Sequence, residues 1–261
     1  MSFRLSIVQQ PLAWHDAPAN RAHFASVLAP LAGGTDLVIL PEMFTTGFTM
    51  KPQEHAEPAA GETRAWLLEQ ARVLDAAVGG SVAVNDDGRY FNRFMLALPG
   101  GPTYWYDKRH LFRMAGEHRH YDGGDHALII EWRGLRLCPL VCYDLRFPVW
   151  SRRRPELEYD LLIYSANWPA VRRYAWMTLL RARAIENLVH VVAPAQSGFH
   201  ENGRETYGDS LIVDCWGRVL ARLPRGTGCI SADLDLVRQR EVRHNFPVLE
   251  HRRFDAFPPR A

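Results

Sequence analysis

Three short, largely apolar runs in this chain each stop abruptly at an ionisable side chain. Leu37 to Leu40 (LVIL) ends at Pro41-Glu42, Thr103 to Tyr106 (TYWY) at Asp107-Lys108, and Leu135 to Val141 (LRLCPLV) at Cys142. Runs this short, bounded by turn signals, read as buried strands rather than helices. A buried strand needs a covering layer, which helices or a second sheet must supply. The carboxyl ends of such strands are where α/β folds collect reactive groups.

The rest of the chain alternates strands and helices. Leu5 to Gln10 reads as a strand, and Pro18 opens a helix with Phe24, Val27, Leu28 and Leu31 on one face, stopped by Gly33-Gly34. A second helix is expected from about Thr63 to Ala76, after which Gly79-Gly80 should introduce a strand over Ser81 to Val84. Asp86-Asp87-Gly88 signals a hairpin into Tyr90 to Leu98, and Gly100-Gly101 another into Thr103 to Tyr106. A polar loop lasts to about Asp125, and Ala127 to Trp132 then pairs through Arg133-Gly134 with the Cys142 strand. A short helix is expected near Val149 and a strand over Leu161 to Tyr164. Arg172 to Leu188 gives the longest helix, with Trp176, Leu180, Ala184 and Leu188 at helical spacing. Strands close the chain at Val189 to Ala193, Ser210 to Val213, Val219 to Leu223 and Gly228 to Ala232. No repeat or linker interrupts residues 1–261, which predicts a single α/β domain: two mixed sheets packed together with helices on both outer faces. The Pro-rich, charged tail from about residue 244 is expected to lie as an arm on a surface or a partner subunit.

Composition narrows the function. A formal net charge of +2 from 31 basic and 29 acidic residues gives no basic excess for a nucleic-acid partner. The N-terminus lacks the pattern of a signal peptide, and no apolar run approaches the ~18 residues of a membrane span. Cys138 and Cys142 would stand roughly 13 Å apart along one strand, too far to bridge. With Cys215 and Cys229 they form no CxxC pair, so reduced thiols and a cytoplasmic protein are expected.

Taken singly, Cys142 is a small core residue, Glu42 a solvated loop carboxylate and Lys108 a surface cation. Taken together they name a chemistry. A thiol with an ordinary pKa of about 8.5 needs a base, which Glu42 supplies. Lys108 keeps that carboxylate ionised and then stabilises the oxyanion formed when a carbonyl is attacked. The Tyr143 N–H is a second donor, each such donor contributing about 3–4 kcal/mol.

The motifs LPEMF around Glu42, YDKRHLF around Lys108 and LVCYDLRFP around Cys142 resemble those of the nitrilase (carbon–nitrogen hydrolase) superfamily, in order and across essentially the whole chain. The resemblance implies an αββα sandwich that dimerises through its helices. It also implies hydrolysis of a non-peptide C–N bond through a thioester on Cys142, with no metal or organic cofactor. A second glutamate follows the lysine in many members, and Glu117 matches it by position. The wording RHLFRMAGEH and YSANWP is similar to the bacterial omega-amidase branch, which acts on 2-oxoglutaramate or 2-oxosuccinamate.

Such substrates carry a carboxylate, which a guanidinium matches bidentately. Arg172 or Arg173 is the expected partner, with Arg113 a rival, while Phe44, Phe112, Asn167 and Trp168 are expected around the pocket. Asp144 and Arg146 are expected to form a salt bridge that holds the turn after Cys142. Competing readings are a zinc site from His118, His120 and Asp122 or Asp125, a Cys–His enzyme using His110 or His118, and a non-catalytic scaffold. Within the enzyme class an aliphatic amidase, a nitrilase or an N-carbamoylase also fits.

Overall fold

The computed structural model describes residues 3–251. In order come β1 (Phe3–Gln9), α1 (Ala17–Leu28), β2 (Leu37–Ile39), α2 (Pro52–His55), β3 (Glu57–Pro58), α3 (Glu62–Leu74), β4 (Ala77–Asp86), β5 (Arg89–Ala97) and β6 (Thr103–Asp107). There follow β7 (Ile130–Trp132), β8 (Leu135–Val141), α4 (Pro148–Ser151), β9 (Leu161–Ser165), α5 (Arg173–Asn187) and β10 (His190–Ala193). The chain continues with β11 (Ser197–Phe199), β12 (Glu205–Tyr207), β13 (Ser210–Val213), β14 (Val219–Leu223), β15 (Gly228–Leu234) and α6 (Leu236–Asn245).

Two mixed sheets result. One runs β15-β1-β2-β4-β5-β6 with β3 against β4, and the other β14-β13-β10-β9-β8-β7. Strands β11 and β12 form a separate hairpin. The period of two along β2 sorts the layers. Leu37 and Ile39 join an apolar cluster with Leu137, Leu161 and Val191 of the other sheet. Val38 and Leu40 instead meet Phe24 and Leu28 of α1 and Leu67 and Leu74 of α3. Trp176, Leu180 and Ala184 of α5 are buried against the second sheet. Each buried Leu, Ile, Val or Phe among these contributes about 1.5–3 kcal/mol, and both sheets are covered on both faces, giving the αββα sandwich.

Several expectations need correction. Gly79-Gly80 does not precede a strand but lies inside β4, because a Cβ at Gly80 would meet Leu40 Cβ at 2.8 Å and one at Gly79 would meet the Met95 carbonyl oxygen at 2.6 Å. Ala127 to Ile129 fall outside β7. The β11–β12 hairpin and α6 were not expected. Helix α6 is highly charged and is tied down by the buried pair Gln239 and Val242. It carries residue 244, where an arm was expected to begin, and a single turn spans Val248–His251. Residues 252–261 of that tail lie outside the described residues. Among the described residues no helix is long and apolar enough to cross a membrane. All four cysteines are free thiols.

Candidate active site

Each of the three ionisable residues sits just past the end of its strand. Glu42 follows β2, Lys108 follows β6 and Cys142 follows β8, and the packed sheets bring these ends together. The Lys108 ammonium donates to Glu42 Oε1 at 2.9 Å and to both Glu117 oxygens at 2.9 and 3.0 Å. Asn92, in the middle of β5, donates from Nδ2 to Glu42 Oε1 at 2.8 Å and to Glu117 Oε1 at 3.1 Å. The Asn167 backbone N–H fills Glu42 Oε2 at 2.9 Å. Glu42, Lys108 and Glu117 are wholly buried. So compact a polar cluster survives burial only because its charges are paired and hydrogen-bonded.

Cys142 adopts φ 42°, a left-handed conformation that is strained for a side chain with a Cβ. The strain is held from both sides by Asp144. This buried carboxylate accepts from the Val141 N–H at 3.0 Å, the Tyr106 hydroxyl at 2.8 Å and the His110 N–H at 3.0 Å. The nucleophile turn and the segment after Lys108 are thereby tied to one side chain. The expected Asp144–Arg146 salt bridge does not form: His110 Nδ1 takes the remaining place on Asp144 at 2.8 Å. Arg146 turns instead into the pocket, its guanidinium 5.3 Å from the Trp168 ring centre.

Burial raises the thiol pKa of Cys142, Glu42's negative charge raises it further, and Lys108 opposes both. Glu42 is within hydrogen-bonding reach of that thiol. The resting thiol is therefore protonated beside its own base, which is the starting state for attack coupled to proton transfer. Burial alone would lower the Lys108 pKa, but Glu117 and Glu42 together hold it raised, so the ammonium persists. Burial raises the Glu117 pKa, and Lys108 pulls against it.

The thiol opens into a cavity of about 250 Å³. Lys108, Cys142 and Tyr143 face it, with Phe112, Asn167 and Trp168 beside them. Glu42 and Glu117 do not line it but stand behind Lys108. Of the two expected arginines only Arg172 lines the cavity, its guanidinium 5.3 Å from the Phe112 ring centre. Arg173 points away and pairs with Asp209, while the rival Arg113 is not among the lining residues. Phe44 is a core residue rather than a wall, edge-on to Phe24 at 5.5 Å. Neither Arg146 nor Arg172 has a carboxylate within ion-pair distance among the described residues.

Asn92, His200, Trp14 and Phe48 were not expected here, nor were Lys51, Glu201, Asn202 and Arg204, which also line the cavity, and Arg146 was expected only in a salt bridge with Asp144. A lone Asn within the apolar run of β5 is a signal that could have marked Asn92. His200 and Trp14 come from loops whose approach the sequence does not indicate. In the loop read as a possible zinc site, Asp122 pairs with Arg89 and Asp125 with His126. Among the described residues no group of three or more His, Cys, Asp or Glu is placed to hold a metal ion.

A buried base, a cation and a strained thiol at three strand ends of an αββα sandwich define a class of hydrolase. Residues 4–244 match the carbon–nitrogen hydrolase family, and the chain belongs to it. It is similar to the omega-amidase YafV of Yersinia enterocolitica, at 47% identity over 248 residues covering 95% of each chain. It is 36% identical over 260 residues to the 2-oxoglutaramate amidase of Bacillus subtilis, covering 98% of this chain and all of that one. A CN-hydrolase superfamily protein of Xanthomonas campestris, solved with an arsenic adduct in its active site, superposes with a TM-score of 0.95. That protein shares 42% identity, over 97% of this chain and 98% of its own. The chain is thus an amidohydrolase that acts on carbon–nitrogen bonds in small amides.

Proposed function

We propose that this enzyme hydrolyses the terminal amide of a short 2-oxo dicarboxylic acid monoamide, such as 2-oxoglutaramate or 2-oxosuccinamate, to the acid and ammonia. The observation that carries this reading is the pair of guanidiniums, Arg146 and Arg172, that line the cavity beside Cys142 with no carboxylate partner among the described residues. Charged groups stacked on apolar rings and lacking a counter-ion fit an anionic substrate. The names of the Yersinia and Bacillus relatives support the same class.

In this reading Cys142 Sγ attacks the amide carbon while its proton passes to Glu42. The negative charge that develops on oxygen is met by Lys108 and by the Tyr143 N–H, which stands in the first turn after β8 where N–H groups lack intrahelical acceptors. Glu42 returns the proton to the leaving nitrogen, and ammonia departs from a thioester. Glu42 next takes a proton from water, which attacks the thioester carbon. Collapse of that adduct expels the sulfur, which regains the proton, and the acid is released. Glu117 holds Lys108 in place rather than touching the reacting atoms. Asn167 Oδ1, buried and unpartnered among the described residues, is suited to accept from the amide nitrogen.

Ammonia release from 2-oxoglutaramate, glutamine, simple nitriles and carbamoyl amino acids tests the substrate class. A higher kcat/KM for the 2-oxo amide is expected, and preference for any of the others overturns the reading. Intact-mass measurement during turnover should show an acyl adduct on wild-type protein and none on C142A.

The same reading treats residues 1–261 as one hydrolase domain in the cytoplasm, where the four free thiols stay reduced. It also pairs two copies through their helices, because Val149, Val171 and Tyr174 around α4 and the start of α5 are more than four-fifths exposed. Light scattering after size exclusion should give twice the chain mass.

A further inference from the structure

Of the polar side chains that line the cavity and that the mechanism above leaves idle, Lys51, His200, Glu201, Asn202 and Arg204, His200 alone has a buried atom without a hydrogen-bond partner among the described residues. His200 stands just past β11, where its N–H donates to the Arg204 carbonyl at 2.8 Å and its own carbonyl accepts from Gly203 at 2.9 Å. The backbone is therefore fixed by the hairpin. The ring leans on Trp14, with centres 5.5 Å apart, and is edge-on to Phe48 at 6.5 Å. It lines the cavity, and Nε2 is buried without a hydrogen-bond partner among the described residues. A buried ring nitrogen left unpaired costs about 1–3 kcal/mol, a cost recovered when a ligand supplies the partner.

The charge of that group decides which part of the substrate it meets. Burial lowers the His200 pKa; Glu42 opposes this, and Arg204 adds to it. The ring is neutral at physiological pH and is thus a poor partner for a carboxylate, which two unpaired guanidiniums already suit. A neutral N–H donor matches a neutral carbonyl.

We propose that His200, as its Nε2–H tautomer, donates a hydrogen bond to the 2-oxo oxygen of the substrate and so sets the preference for 2-oxo acid amides over amides of plain dicarboxylic acids. This rests on the omega-amide reading above and extends it to one atom of the substrate. A site built to hydrogen-bond a substrate group rejects the analogue that lacks it, because the protein group stays unpaired.

The test compares ammonia release from 2-oxoglutaramate and from glutaramate, which keeps the amide, the carboxylate and the chain length but has CH2 in place of the oxo group. Wild type should favour the oxo compound in kcat/KM by at least about tenfold. H200F preserves the ring contacts to Trp14 and Phe48 and removes the donor. It should lose about 10- to 100-fold on 2-oxoglutaramate and less than about threefold on glutaramate. H200Q, which restores an N–H, should recover part of the difference, and H200L carries the same comparison if H200F does not fold. Equal losses on the two substrates, or no loss on either, overturn the role of His200 and leave the omega-amide reading standing. Wild-type protein active on neither substrate overturns that reading, and this inference with it.

Discussion

Behind Lys108 every charge has a partner of opposite sign or a hydrogen-bond donor, whereas a few residues away the guanidiniums of Arg146 and Arg172 lie against aromatic rings with no carboxylate partner among the described residues. Glu42, Glu117, Asn92 and Lys108 are closed off from solvent, and of the four only Lys108 reaches the cavity wall. Arg146 and Arg172 line the cavity, over Trp168 and Phe112. The first region is finished before substrate arrives; the second is completed by the substrate. Changes in the floor should therefore act on kcat and on folding, and changes in the wall on KM.

The sharpest separation comes from Cys138 within β8 and Cys142 just past its end. Burial and, after it, the Asp144 charge push the Cys138 thiol up to about 12, while Cys142 has Glu42 and Lys108 at hand. C142A should drop turnover by at least about 10⁴-fold with the thermal transition retained. C138A should keep the activity and lose only the stability of a small core side chain, so a comparable loss of turnover would erase the distinction.

Removing the cation of the floor comes next. K108M leaves two carboxylates buried against each other, and should cost about 3–5 kcal/mol in denaturant unfolding besides abolishing turnover. An unchanged unfolding midpoint would show that the floor is not a closed charge network. In the wall, R146M and R172M should each raise KM for 2-oxo acid amides by about 10- to 100-fold with little change in kcat. R173M removes a neighbour that is paired with Asp209 outside the cavity, and should leave KM where it was. A kcat effect without a KM effect at Arg146 would move it from the wall to the floor.

The smallest effect concerns pH. The folded-state pKa of His200 lies below its ordinary 6.5 because of burial, so its contribution to stability is complete above that pH and is lost as pH falls through the folded value. Glu117 has the opposite sign: burial raises its folded value, so its contribution is complete below the ordinary 4.5 and is lost as pH rises. Between pH 7 and 5 the free energy of unfolding should fall, by no more than about 1.4 kcal/mol per pH unit from this ring, and the thermal midpoint with it. H200F should flatten that fall, and E117Q should not.

Where an apolar strand ends on an ionisable residue, both the element and the residue's place at the sheet edge could be read directly. That located Glu42, Lys108 and Cys142. Glu117 depended on the resemblance, since its loop has no period of its own. Asn92 was overlooked because attention to apolar runs passes over the single amide inside one. Asp144 and Arg146, two residues apart, were expected to meet. In the single 3-10 turn that follows Cys142 they diverge instead, one to His110 and the other to the pocket. Arg172 and Arg173 are adjacent and chemically equal, and only Asp209, brought in from the loop before β13, separates their roles. Phe44 looks like a wall to anyone counting residues from Glu42, yet α1 covers it.

Alternation and turn chemistry act over a few residues, so the order of strands, the layers and the edge on which polar groups gather were set by the chain's own pattern. Which arginine meets a ligand, which histidine stays unpaired and which asparagine bridges two acids depend on segments scores of residues away. Those contacts exist only once two sheets have packed, because burial is what makes a partner obligatory for one polar group and its absence tolerable for another.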